Sequence, residues 1–178
     1  MILLVYAHPH HSRSRANRVL LEAAATVPGV KVHDLYSRYP DFDVDARAER
    51  PLLEGADTLV LQHPIYWYSL SALAKLWLDE VFTSGWAYGP GGRALAGKRF
   101  FWAVTTGGSE RDYAPGGAHE RAFTTFVAPM EQTARFCGME WLPPFVLHDA
   151  HVCDDAALAG AAAAYRDRIA ALARDGAR

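Results

Sequence analysis

The chain has 178 residues, 51% of them hydrophobic and 21% charged, with a formal net charge of −2. That length suits one domain, residues 1–178, around one substantial core. The near-even charge balance gives no electrostatic case for nucleic acid or an acidic membrane surface, and no apolar run is long enough to span a bilayer. Met1 to Ala7 is a continuous apolar run with no basic segment before it, which reads as a buried strand and not a signal peptide. Ser14 to Ala25 carries Val19, Leu20 and Ala23 at helical spacing. Val30 to Leu35, entered through Pro28-Gly29, is a second strand, and Asp57 to His63 is a third. Leu70 to Phe82 sets Leu73, Leu76, Trp77, Val81 and Phe82 at the period of a helix packed on a sheet. Lys98 to Thr106 is the fourth strand, and Trp141 to His148, interrupted by Pro143-Pro144, the fifth. Ala118 to Cys137 and Asp154 to Ala173 supply two more helices.

Strands alternating with helices predict an α/β fold, a parallel sheet with right-handed crossovers and helices on both faces. Five strands without a glycine-rich dinucleotide fingerprint fit the flavodoxin-like order 2-1-3-4-5. In such sheets ligands sit at the carboxyl ends of the strands, near the switch in strand order. The unusual residues fall in three loops there, after Ala7, after His63 and after Thr106. Cys137 and Cys153 are too few and too far apart for a disulfide scaffold or a zinc site, so both read as small buried hydrophobes and the cytoplasm is the expected compartment.

The first loop runs from His8 through Ser14, Arg15, Ala16 and Asn17 into a helix, whose unpaired N–H groups would hold a phosphate. Ser14 and Asn17 would add hydroxyl and amide donors, and His8, Arg13 and Arg15 charge. His8, His10 and His11 lie close together, but no carboxylate or cysteine is beside them and no metal is expected. The second loop, Pro64, Ile65, Tyr66, Trp67 and Tyr68, puts large aromatics where a strand gives way to a helix, a costly exposure unless something stacks there. In the third, Thr105, Thr106, Gly107 and Gly108, the glycines let backbone N–H groups approach a flat ligand. Together the loops would cradle a flat, polar-edged ring such as an isoalloxazine. Tyr113 and His119 would then place a phenol and an imidazole where charge builds on a reduced ring. Gly92 to Lys98 has the outline of a P-loop, but Arg99 stands where Ser or Thr is needed and a strand follows, which excludes it.

In order and spacing these residues resemble the flavodoxin-like NAD(P)H:quinone oxidoreductases, over nearly the whole chain. The resemblance implies a phosphate loop at His8, Ser14 and Asn17, two ring-binding loops at 64–68 and 105–108, and a charge-relay pair, Tyr113 and His119. It implies a homodimer with sites at the interface, where Tyr88 of one subunit joins Trp67 and Tyr68 in lining the other's substrate pocket. Tyr39-Pro40-Asp41-Phe42, Gln62-His63-Pro64, Gly85-Trp86-Ala87-Tyr88-Gly89, Trp141 to Phe145 and Cys153-Asp154-Asp155 are similar, more narrowly, to bacterial ancillary subunits of glutathione-gated potassium efflux systems. From this follow FMN as cofactor, NADH or NADPH as donor, a quinone as acceptor and ping-pong hydride transfer. FAD is the alternative, since Arg13 and Arg15 would equally serve a pyrophosphate. The narrower resemblance adds a potassium efflux antiporter as partner and a peripheral place at the cytoplasmic face of the inner membrane. The other reading is a flavin-binding regulatory subunit with little catalysis of its own. Two residues depart from the pattern: Tyr66 replaces a frequent glutamine, and Ser71 a frequent proline, which should loosen a helix start.

Overall fold

The apolar runs assemble, in a computed structural model that describes residues 1–175, into one parallel sheet of six strands. β1 (Ile2–Tyr6) lies between β2 (Val30–Asp34) and β3 (Thr58–Pro64), and β4 (Arg99–Thr105) follows β3. The predicted fifth strand is two short ones, β5 (Glu140–Trp141) and β6 (Phe145–Leu147), both parallel to β4. The order is β2-β1-β3-β4-β5, with β6 also on β4. Proline has no N–H for the ladder, so pairing lapses at Pro143-Pro144. It resumes out of step: Arg99 faces Glu140, whereas Ala103 faces Phe145.

Alternate residues of a strand point to opposite faces, so each central strand feeds two cores. On one face Leu3, Val5, Leu61 and Trp102 pack under α4 (Ala72–Val81) and α5 (Thr124–Phe136). On the other Ile2, Leu4, Tyr6 and Phe101 pack under α1 (Ala16–Ala25) and α6 (Asp155–Asp175). Two further helices were not predicted: α2 (Leu35–Arg38), capped by Asp34, and α3 (Ala46–Glu54), capped by Asp45. Pro51 inside α3 reads in sequence as a breaker, although the Asp45 cap was a legible start. The predicted helix from Ala118 begins only at Thr124, because Glu120 adopts left-handed backbone at φ 51°. No helix among the described residues is long and apolar enough to cross a membrane.

Two polar clusters are buried in the first core. Glu49, 1% exposed, accepts from the Tyr39 hydroxyl at 2.6 Å, Trp77 Nε1 at 2.7 Å and His33 Nε2 at 2.9 Å. Burial by itself would raise the Glu49 pKa; the donors from His33, Tyr39 and Trp77 outweigh it and hold the carboxyl below its ordinary value. His63 is fully buried and accepts from Trp102 Nε1 at Nε2, 2.8 Å, so its hydrogen sits on Nδ1 and is donated to the Pro64 carbonyl at 2.8 Å. Burial pushes its pKa from 6.5 down to about 4. The unfolded chain takes up this proton near pH 6.5 and the folded chain only near 4, so the stability from a neutral His63 is whole above 6.5 and lost as pH falls towards 4. The loss amounts to about 3 kcal/mol. Urea unfolding at pH 7 and 4.5 should show that fall, and His63→Gln, which cannot take up the proton, should flatten it; an unchanged slope in the variant would remove His63 as its source.

Candidate functional site

The loops after β1, β3 and β4 meet in one cleft of about 410 Å³, within the range of small-molecule sites. The first loop makes a short 3-10 turn, His11–Arg13, and then enters α1, so Ser14 is extended and the helix starts at Ala16. His8, His10, Arg13, Ser14, Arg15, Ala16 and Asn17 line this end of the cleft. Arg15, at the N-cap, provides no side-chain cap, which leaves the first N–H groups of α1 without that partner where Ala16 and Asn17 line the cleft. His8 has its pKa lowered from 6.5 to about 4, by burial first and then by His10 and His11, so it is neutral at pH 7.

Two residues of this loop have other occupations than the sequence suggested. The Asn17 side chain is buried and donates to Thr105 Oγ1 at 2.7 Å, tying α1 to β4; Gln62 Nε2 donates to its carbonyl at 2.8 Å. One of its two amide hydrogens is thus spent inside the fold, and its backbone N–H remains for a ligand. The Arg15 guanidinium donates to the Cys153 carbonyl at 2.7 Å and to Asp155 Oδ1 at 2.5 Å, across to the start of α6. Asp155 is almost fully exposed, so this pair is weak and solvent-screened.

From the second loop Pro64, Ile65 and Tyr66 line the cleft. Tyr66 and Ser69 exchange both backbone hydrogen bonds, 3.1 and 3.0 Å, around Trp67 and Tyr68, whose φ values are 48° and 63°. Left-handed backbone at both central positions is the hairpin geometry that normally takes Asn-Gly, and two large aromatics there store strain of about 1–3 kcal/mol each. Trp67 is 91% exposed. Ser71, expected to loosen the next helix, instead pins it, since its buried hydroxyl donates to the Ala7 carbonyl at the end of β1 (2.9 Å).

From the third loop Thr105, Thr106 and Gly107 line the cleft. Next to them Gly108, Tyr68, Tyr113 and His119 form one cluster. The Tyr113 and His119 rings lie 4.3 Å apart between centroids, tilted by 34°. His119 Nδ1 shares a hydrogen bond with the Tyr68 hydroxyl at 3.2 Å, and Tyr68 stacks on Phe126. Burial raises the Tyr113 phenol pKa, and the nearby Tyr68 adds to this. A Cβ on Gly108 would come 2.9 Å from His119 Nε2, and one on Gly107 3.3 Å from the His151 ring. Tyr88 does not line this cleft; it packs on Phe136 in a separate apolar groove with Phe82 and Met130. Ala150 and His151, after β6, complete the wall and were missed. The carboxyl-end rule covers that loop too, had it been applied to the last strand.

The family model for the flavodoxin-like fold matches residues 1–169. A crystal structure described as a thermophilic tryptophan halogenase from Streptomycin violaceusniger is 39% identical, with 93% of this chain and 96% of that chain covered and a TM-score of 0.90. General stress protein 14 of Treponema denticola, solved in complex with FMN, is 37% identical over 97% of this chain and 98% of its own, with a TM-score of 0.87. An NADPH-quinone reductase from P. pentosaceus is 29% identical over 95% and 97%, with a TM-score of 0.86. Such different descriptions on one scaffold leave the activity to be argued from the site. By both its sheet and its matched length, the chain belongs to the flavodoxin-like fold family.

Proposed function

We propose that this chain is an FMN-dependent NAD(P)H:quinone oxidoreductase of the kind that serves as an ancillary subunit of potassium efflux systems. One observation carries the reading. The cleft has an uncapped helix start with hydroxyl and basic side chains at one end, and Ile65, Tyr66 and the bare backbone of Gly107 on its other walls. This donor set fits a phosphate joined to a flat ring. FMN in the structure of the Treponema relative and the description of the P. pentosaceus relative as an NADPH-quinone reductase support it. FMN, when bound, would supply two-electron hydride chemistry between NADH or NADPH and a quinone, the two substrates using one pocket in turn.

The chain's own residues have separate tasks. The α1 N-terminus and Ser14 hold the phosphate; Ile65 to Tyr68 and Thr105 to Gly108 hold the ring. Tyr113 and His119 place a phenol and an imidazole beside Gly108, where they can hold or supply a proton. Trp67 and Tyr68 wall the substrate side. Phe136, 64% exposed beside Tyr88, favours a homodimer in which each subunit's Tyr88 closes the other's cleft, and sedimentation equilibrium measures that state. Asp41 and Phe42 lie on the surface, as an antiporter-binding role requires, and co-purification with the antiporter tests it.

The test is the visible spectrum of the purified protein, followed by anaerobic NADH and then a quinone. Flavin absorbance that bleaches with the donor and returns with the quinone is expected, and mass spectrometry of the extracted flavin separates FMN from FAD. Colourless protein that neither flavin reconstitutes would end the reading. Stopped-flow of Tyr113→Phe and His119→Ala should show flavin reduction slowed about tenfold or more with FMN still bound. Parent-like rates in both would take the relay role from this pair.

A further inference from the structure

We propose that His148 is a positioning residue that fixes the Thr106–Gly108 loop for the flavin, an assignment that rests on the reading of the cleft above. The end of β6 and the residues after it are laced to the loop after β4 by three backbone bonds. Thr106 N–H donates to the Leu147 carbonyl at 2.9 Å, Asp149 N–H to the Gly108 carbonyl at 3.1 Å, and Ala150 N–H to the Thr106 carbonyl at 3.0 Å. Asp149 takes a left-handed φ of 56° to make this turn, a conformation rare for a residue with a Cβ. The Asp149 carbonyl accepts from both Val152 and Cys153, at 2.9 and 2.8 Å, which holds it there.

On this brace the side chains add a directional chain. Thr106, 1% exposed, donates its hydroxyl hydrogen to the Gly108 carbonyl at 2.8 Å, and its Oγ1 lies 2.8 Å from His148 Nδ1. A hydroxyl has a single hydrogen, so with that spent on Gly108 the Thr106 oxygen accepts from His148. Nδ1 therefore carries the hydrogen. Phe123, edge-on at 5.5 Å, and Tyr113, also at 5.5 Å, fix the imidazole plane. His148 thus sets Thr106, and Thr106 sets the peptide plane of Gly108, whose Cα lies against His119 and Tyr113. His148 does not line the cleft and acts through the loop.

The experiment measures the FMN dissociation constant by fluorescence quenching, and the midpoint potential of bound flavin, in the parent, His148→Ala and His148→Asn. Asparagine returns an N–H near the Nδ1 position and alanine does not. Alanine should weaken FMN about tenfold and move the potential, while asparagine stays within about twofold of the parent. Equal affinity and potential in a folded alanine variant would overturn the assignment, as would an asparagine variant as weak as alanine. Should alanine fail to fold, the ¹⁵N shifts of the His148 ring in the flavin-free parent decide, since an Nε2–H tautomer contradicts the chain of donors. A parent that takes up no FMN fails differently, because it brings down the flavin reading of the cleft as well.

Discussion

Glu49→Ala should lower unfolding free energy by about 3–5 kcal/mol, the scale for removing one partner from a buried charged cluster. The substitution leaves the Tyr39 hydroxyl and the Trp77 indole N–H in a closed core, each having donated to that carboxylate. A buried donor without a partner costs about 1–3 kcal/mol, so two of them nearly account for the figure before the cavity is counted. His33, at the edge of the cluster, can turn to water and adds little. Urea unfolding at pH 7 measures the loss, and Glu49→Gln should lose less because it keeps volume and one acceptor. A loss below about 1 kcal/mol in the alanine variant would mean that water replaces the carboxylate and the site is not closed. The linkage sign is that of a depressed carboxyl: its contribution is present above the ordinary carboxylate range and lost as pH falls through the folded value. Glu49 and His63 therefore both make the fold acid-labile, in adjoining pH windows. Glu49 does not line the cleft, so flavin content per folded molecule should stay at the parent level.

Gly108→Val should give folded protein that is colourless. The backbone at Gly108 is not left-handed, so valine faces no strain in φ and the effect is local. Its Cβ would stand 2.9 Å from His119 Nε2 and 3.3 Å from Tyr113 Cε2, and the two γ methyls crowd further. His119 must then swing away, losing its hydrogen bond to Tyr68. Overpacking of this kind costs about 1–3 kcal/mol, which is up to about 100-fold in flavin affinity if the crowding falls on the bound state. Gly108→Ala should fall between parent and valine. Absorbance at the flavin band, read against circular dichroism for folding, gives the answer; yellow valine protein would mean that the ring does not approach this loop.

Much of this was legible because it is local. Apolar runs at strand period and apolar stripes at helix period depend on neighbours within a turn or two, so the strands, four of the helices and the sheet order followed from the residues themselves. The three loops at strand ends followed as well, since topology puts the cleft there. The division of the fifth strand at Pro143-Pro144 was visible as an interruption, but its register shift was not, because register is set by the partner strand. What each polar side chain does was a tertiary matter. Asn17 spends its amide on Thr105, Arg15 turns to Cys153 and Asp155, and His119 bonds Tyr68, all over long sequence separations. The brace from His148 to Ala150 on the glycine loop belongs to the same class. A hydrogen bond depends on which groups the packed chain brings within 3 Å or so, and no local period encodes that. The sequence by itself determined the scaffold and the end of it that binds; the tertiary structure decided which donors there remain free for a ligand.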